Sequence, residues 1–243
     1  MSKIKEFVLQ SYKDLHNAIF PQNITCDICH CDLFDERELS ICDNCYKSLP
    51  FVEQPCEKCG KSAKKGKCKL CHNMKHHFKQ CVSVFEFSEP ITSLIHRFKY
   101  AHEFHLKRLF VHFMLLKYNA TNWQIDCVVA APMNKRKEMV RIKNQADELA
   151  KEFCLQTNLP NISDILVKDV IQTQTELNRT QRFENVKDSI RIIDKKAIKG
   201  KNVLVIDDVM TTSATVNAIS KLLKDSGAKN VFVLTVATVS IVD

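Results

Sequence analysis

Residues 203–215, VLVIDDVMTTSAT, decide how this chain is read. Val203 to Ile206, with Val209 beyond, are apolar and mostly β-branched, and so short a run reads as a buried strand of a parallel sheet. Asp207 and Asp208 stand where that strand is expected to end. Hydroxyls follow at Thr211, Thr212, Ser213 and Thr215. An amphipathic helix comes next, with Val216, Ile219, Leu222 and Leu223 on one face and Gly227 as its stop. Open α/β sheets bind ligands at the carboxyl ends of their strands. The helix N-terminus offers unpaired N–H groups and a positive dipole end to a phosphate, and the hydroxyls add donors. Two carboxylates repel a phosphate. They suit ribose hydroxyls, or a magnesium ion held mostly through water. A sugar phosphate therefore fits better than a bare anion. A P-loop would need GK[ST], which is absent. A receiver domain would need several further strand–helix units, where only the strand Val231 to Val239 remains. A surface turn with no ligand is the other reading.

The same stretch resembles the phosphoribosyl-diphosphate (PRPP) loop of type I phosphoribosyltransferases. The resemblance implies that Asp207 and Asp208 hold the ribose hydroxyls. It implies that the loop Thr211, Thr212, Ser213, Ala214 and Thr215 holds the 5′-phosphate, with Mg2+ accompanying PRPP. The usual loop carries Gly where this chain has Ser213, and Ser lacks glycine's freedom at positive φ.

A chain of 243 residues allows one large domain, or a domain plus a module. No apolar run approaches the roughly 18 residues of a membrane span. Residues 1–22 have no uninterrupted apolar core and no small-residue cleavage site, so they do not read as a secretory signal. Ile4, Phe7, Val8, Leu15 and Ile19 recur there at helical spacing and predict a helix packed on the body, with a weak membrane-surface role as the alternative. A cytoplasmic protein is expected, and twelve cysteines in such a chain argue for metal rather than disulfides. The net charge of +8 is unevenly placed: Lys61, Lys64, Lys65, Lys67, Lys69, Lys75 and Lys79 crowd one segment, and Lys135, Arg136, Lys137, Arg141 and Lys143 another. Basic clusters attract polyanions such as nucleic acid, and the alternative for the first is a solvated face.

Four CxxC pairs lie in order: Cys26/Cys29, Cys42/Cys45, Cys56/Cys59 and Cys68/Cys71. Two knuckles make a tetrahedral four-thiolate zinc site, so eight thiolates suffice for two Zn2+. The loop lengths favour sequential pairing, with an interleaved pairing open. Every ligand position would be filled by protein, which makes such zincs structural; an iron–sulfur cluster is the alternative. Cys31, Cys81, Cys127 and Cys154 fall outside the pairs and read as small buried hydrophobes. His30 and His72 adjoin knuckles as substitute ligands. The lysines among the last knuckles make a plausible nucleic-acid surface, with Tyr46 and Phe51 the few aromatics for stacking.

The polar stretch 73–81 is read as the boundary to a second domain. Residues 82–87 alternate as a strand, and Pro90 opens a long helix with Ile91, Leu94, Ile95 and Phe98 in one stripe. The apolar pattern resumes at Leu106, Leu109, Phe110, Phe113 and Met114. His96, His102, His105 and His112 lack metal-ligand spacing and read as polar-face residues. Cys127 to Ala131 is a second buried strand ended by Pro132. A basic loop follows, and then a helix marked by Ala146, Leu149, Ala150 and Phe153. Lys135, Arg136 and Lys137 can meet a diphosphate, which a phosphoribosyltransferase must hold as charge builds on its leaving group. Ile165, Val167, Val170 and Ile171 suit a strand. The polar run 172–186, with Arg179 and Arg182, reads as a plain surface loop or as a loop closing over substrate.

Taken together, these motifs resemble the ComF (ComFC) family of competence proteins, over residues 24 to 240. The resemblance is carried by the knuckles, by IHRFKY with Lys99, by AAPMNKRK, and by RIKNQA with Asn144 and Gln145. It is carried further by Gln174, Leu177, Arg182, Asn185 and Val186, and by VLVIDDVMTTSAT. It implies a type I phosphoribosyltransferase-like α/β domain with a parallel sheet (residues 80–243), preceded by a double zinc ribbon (23–75) and the helix (1–22). It implies loop ligands at Gln174, Arg182 and Asn185. It also implies handling of incoming single-stranded DNA in natural transformation, at the cytoplasmic side of the membrane, with a competence translocase or helicase as partner. Met133-Asn134, Ile142-Lys143 and Ser213 depart from the family's pattern. An active phosphoribosyltransferase of nucleotide salvage or biosynthesis, with the ribbons as scaffold, is the alternative.

Overall fold

The strand that carries the acidic pair is the centre of the computed structural model, which describes residues 24–34, 37–63, 66, 68, 71, 74–133, 143–168 and 190–239. Strand β5 (Asn202–Met210) pairs in parallel with β6 (Asn230–Thr238) along its length, from Asn202 opposite Asn230 to Met210 opposite Thr238. Its other edge pairs in parallel with the short β2 (Cys127–Ala130), from Cys127 opposite Val203 to Ala130 opposite Ile206. Strand β1 (Gln80–Glu86) pairs in parallel with β6, so the order is β1-β6-β5-β2. Val203, Leu204, Val205 and Ile206 are all fully buried, as a near-continuous apolar run in a sheet covered on both faces demands.

Helix α2 (Ile91–Tyr100) buries the expected stripe of Ile91, Leu94, Ile95 and Phe98. The expected long helix is in fact two. Residues 101–105 part α2 from α3 (Leu106–Asn119), with His102 left-handed at φ 59. Arg97 clamps this corner with two bonds to the Glu103 carboxylate, at 2.9 and 2.6 Å. Helix α3 packs on β1 and β6, and α4 (Gln145–Thr157) packs on β2, β5 and α3. A small antiparallel pair, β3 (Leu166–Lys168) with β4 (Ile190–Ile192), takes up the Ile165–Val167 strand signal. Helix α5 (Ala214–Asp225) packs on β4, β5 and β6, burying Val216, Ile219 and Leu223. It ends as predicted at Gly227, whose φ of 101 is open to glycine at little cost.

The chain forms two compact units that divide at Leu49/Pro50, between the second and third knuckles. The first unit includes α1 (Asp43–Lys47) and the first two knuckles. The reason for the division lies in residues 50–60, which join the sheet domain. The Val52 N–H donates to Val84 O, the Glu86 N–H to Pro50 O and the Cys81 N–H to Lys58 O. The Phe51 ring lies 5.0 Å from Phe85 and 5.4 Å from Phe113. Phe85 and Phe113 are each 1% exposed, and burying an aromatic of that size is worth roughly 2–3 kcal/mol. The expected helix over 1–22 lies outside the described residues.

Candidate functional site: the acidic pair, its loop and two thiol clusters

Strand β5 does not end at the acidic pair, as its apolar run suggests; it continues to Met210 because β6 runs beside it. On the other edge β2 stops at Ala130 opposite Ile206, and the Ala131 N–H makes the last bond there, to Ile206 O. Asp207 and Asp208 therefore lie just past the carboxyl end of β2, each partly exposed. Asp207 Oδ1 accepts the Asp208 N–H at 2.8 Å. Asp208 Oδ2 meets Lys99 Nζ, from the last turn of α2, at 2.9 Å, and these side chains are only 16% and 17% exposed. An ammonium here offsets one of two adjacent carboxylates, so the pair repels a bound phosphate less than its formal charge suggests.

Thr211 and Thr212 are exposed beyond the strand, and Ser213 is buried. Ser213 takes the left-handed conformation, φ 59 and ψ 0, as the N-cap of α5. It adopts the glycine-type backbone at the position where the family loop has Gly, at a cost of about 1 kcal/mol. Its hydroxyl donates to Thr212 O at 2.6 Å. The Asn217 N–H bonds Ser213 O at 2.8 Å and starts the helix. Ala214 and Thr215 occupy the first turn of α5, and the Ala214 N–H lies 3.5 Å from Thr212 Oγ1.

Asn144 caps α4, its Oδ1 accepting the Ala146 N–H at 3.1 Å while its Nδ2 donates to Ala131 O at 3.0 Å. It ties together the two ends of the basic segment. Lys135, Arg136 and Lys137 within that segment lie outside the described residues, as do Gln174, Arg182 and Asn185.

The thiols form two clusters in which all Sγ atoms lie within 4.8 Å of one another: Cys26, Cys29, Cys31 and Cys42, and Cys56, Cys59, Cys68 and Cys71. Cys45 exchanges side-chain hydrogen bonds with Cys26, Cys29 and Cys42. The pairing is sequential. Cys31 is not a small buried hydrophobe: it is exposed, hydrogen-bonded to Cys29, and stands in the four-thiol group where the CxxC spacing places Cys45, which lies beside that group. Backbone N–H groups reach the sulfurs as in zinc knuckles, Cys42 N–H to Cys26 and Cys68 N–H to Cys56, each at 3.4 Å. The Cys31 backbone and thiol hold Cys29 down to about 6. Burial pushes Cys56 up, but N–H groups of Cys59, Cys68 and Lys58 outweigh it and bring that thiol down to about 7. Soft, closely set thiolates of this kind fit a tetrahedral Zn2+. His76, which the sequence did not single out, approaches the second cluster: its Nε2 lies 3.3 Å from Cys71 Sγ, while His72 lies outside the described residues.

A model of the phosphoribosyl transferase domain matches residues 144–242. Competence protein F of Haemophilus influenzae is 27% identical over 219 residues, covering 86% of this chain and 94% of its own. The ComF resemblance holds. Competence protein ComFC of Streptococcus pneumoniae is 25% identical, covering 79% of this chain and 84% of its own length. DNA utilization protein YhgH of Escherichia coli K12 is 26% identical, covering 77% and 86%. The fold is accordingly a phosphoribosyltransferase-like parallel sheet with two N-terminal thiol clusters fit for zinc. No helix among the described residues is long and apolar enough to cross a membrane.

Sequence reading missed the role of Lys61. It appears as one of seven lysines in a basic segment, yet it is 3% exposed. Its only local signal is its place between two knuckles beside Gly60, whose positive φ and backbone contact with β1 turn the chain inward.

Proposed function

We propose that this chain is a competence-type protein of DNA handling whose phosphoribosyltransferase-like site binds PRPP with Mg2+. The observation that carries the reading is the convergence at one sheet edge of Asp207, Asp208, Lys99 and the loop leading into α5. In this reading Asp207 and Asp208 hold the ribose hydroxyls. Thr211, Thr212, Ser213, Ala214 and Thr215 hold the 5′-phosphate with hydroxyl and backbone donors. Lys135, Arg136 and Lys137 meet the diphosphate, and Gln174, Arg182 and Asn185 close over it. Two Zn2+ in the thiol clusters are structural.

The competence role is supported by the relatives named competence protein F, ComFC and DNA utilization protein. Single-stranded DNA is the proposed macromolecular ligand, and the net charge of +8 favours it. The protein would act in the cytoplasm, at the inner face of the membrane, beside a translocase or helicase. Fluorescence titration of a labelled oligonucleotide tests the DNA arm. Affinity should fall steeply with salt, and a flat salt dependence contradicts it. Assaying diphosphate release from PRPP in the presence of candidate bases separates binding from transfer.

A further inference from the structure

Lys61 is a buried ammonium that has no carboxylate partner among the described residues. Its Nζ lies 2.6 Å from Thr211 O and 2.6 Å from Val239 O. Thr211 is the first residue of the hydroxyl loop, and Val239 follows the end of β6. Lys61 itself lies two residues beyond Cys59, a thiol of the second cluster, in the loop that leads to Cys68. Its backbone carbonyl accepts the Cys56 N–H at 2.6 Å. Gly60 sets this loop hard against β1: a Cβ there would lie 2.7 Å from Cys81 O.

A second, separate tie runs from the same cluster to the helix behind the loop. Asn217, in the first turns of α5, accepts the His77 N–H at 2.6 Å and donates to Lys75 O at 3.2 Å. His76, between those two residues, touches Cys71. One cluster thus grips both the loop and its helix through short polar contacts.

We propose that Lys61 is a positioning residue through which the metal-loaded second thiol cluster holds the phosphate loop in its binding shape. This rests on the PRPP reading of that loop. Lys61 does not touch the ligand. It fixes the Thr211 carbonyl, and with it the peptide that leads into the exposed Thr212 and the left-handed Ser213 at the start of α5. With the cluster empty, Cys56, Cys59, Cys68 and Cys71 lose the ligand bonds that hold them together, and the loop loses its anchor. Coupling of this kind is reciprocal: whatever zinc does for PRPP affinity, PRPP does for zinc retention, typically within about 5- to 150-fold.

The test uses the full zinc-loaded chain. A chelator with a colorimetric zinc readout is applied with and without Mg2+ and PRPP. One of the two zincs should leave at least about fivefold more slowly when PRPP is present. The Asp207→Asn/Asp208→Asn variant, which cannot hold the sugar, should show no protection. Lys61→Met, still carrying two zincs, should bind PRPP about tenfold more weakly and lose the protection, while Lys61→Arg restores part of both. Calorimetric binding of PRPP by wild type with no effect on zinc release overturns the tie and leaves the PRPP site standing. Absence of PRPP binding in the same wild-type sample overturns the site reading itself, and the tie with it. If Lys61→Met fails to fold, the wild-type chelation measurement still decides.

Discussion

Removing Lys99 should destabilise the sheet domain through Asp208 alone, which a double-mutant cycle can isolate. The ion pair spans 2.9 Å with both side chains more than four-fifths buried. At an effective dielectric of about 20, two unit charges at that separation attract by about 6 kcal/mol. Most of this is offset by stripping water from both groups and by the roughly 2 kcal/mol of lysine rotamer entropy. A charge-assisted hydrogen bond in such a place leaves about 1.5–3 kcal/mol net. Lys99→Met leaves Asp208 next to Asp207 without its cation and should cost about 2–3 kcal/mol. Asp208→Asn should cost less, because the amide still accepts a bond from Lys99. The double variant should cost less than the sum, with a coupling energy of about 1–2 kcal/mol. Urea unfolding of the four proteins, followed by fluorescence of the single Trp123, measures it. Strictly additive costs would refute the pairing and with it the claim that Lys99 tempers the acidic pair.

Further outcomes follow from Gly60, from Ser213 and from the second thiol cluster. Gly60→Ala should cost more than about 2 kcal/mol of unfolding free energy. Its φ is +71, and the new Cβ would meet backbone of β1 rather than a movable side chain; a neutral effect in urea titration would deny the close approach. Ser213→Gly should change stability by less than about 1 kcal/mol, because relief of the left-handed cost is offset by the lost hydroxyl bond and a looser unfolded chain. Ser213→Val should cost about 2 kcal/mol or more, since a β-branched residue resists that φ, and the pair of midpoints checks the assignment. Zinc loading of metal-free protein should release protons. Burial pushes Cys59 up to about 12 and Cys71 above the ordinary thiol range, so both hold protons that the metal must displace. Zinc affinity therefore rises with pH and falls on acidification. Calorimetry in buffers of different ionisation enthalpy should show at least two protons per zinc at the second cluster, and no buffer dependence would contradict this.

Local pattern carried much of this architecture. The run Val203 to Ile206 is a buried strand because only a sheet covered on both faces hides four consecutive apolar side chains, and CxxC spacing gathers thiols by itself. What local pattern lacks is partnership across the chain. The continuation of β5 to Met210 depends on β6 lying alongside, and neither Asp207 nor Asp208 favours a strand alone. The break at His102 depends on the Arg97–Glu103 clamp, which is indistinguishable in sequence from any pair of surface charges. The second pair of knuckles joins the sheet domain through Phe51 and Val52 pairing with β1, a contact set by packing rather than by composition. Lys61 is the sharpest case. Lysine is almost never fully buried, so a lysine in a basic cluster reads as solvated, and only two distant carbonyls reveal otherwise.

The central claim is a sugar-phosphate site at Asp207, Asp208 and the loop that follows them. It is tested most directly by calorimetric titration of the zinc-loaded chain with PRPP in the presence of magnesium, beside the Asp207→Asn/Asp208→Asn variant. The account predicts saturable binding by wild type, lost in the variant while the fold and both zincs are retained. Equal binding by the two proteins, or none by a folded, zinc-loaded wild type, would contradict it.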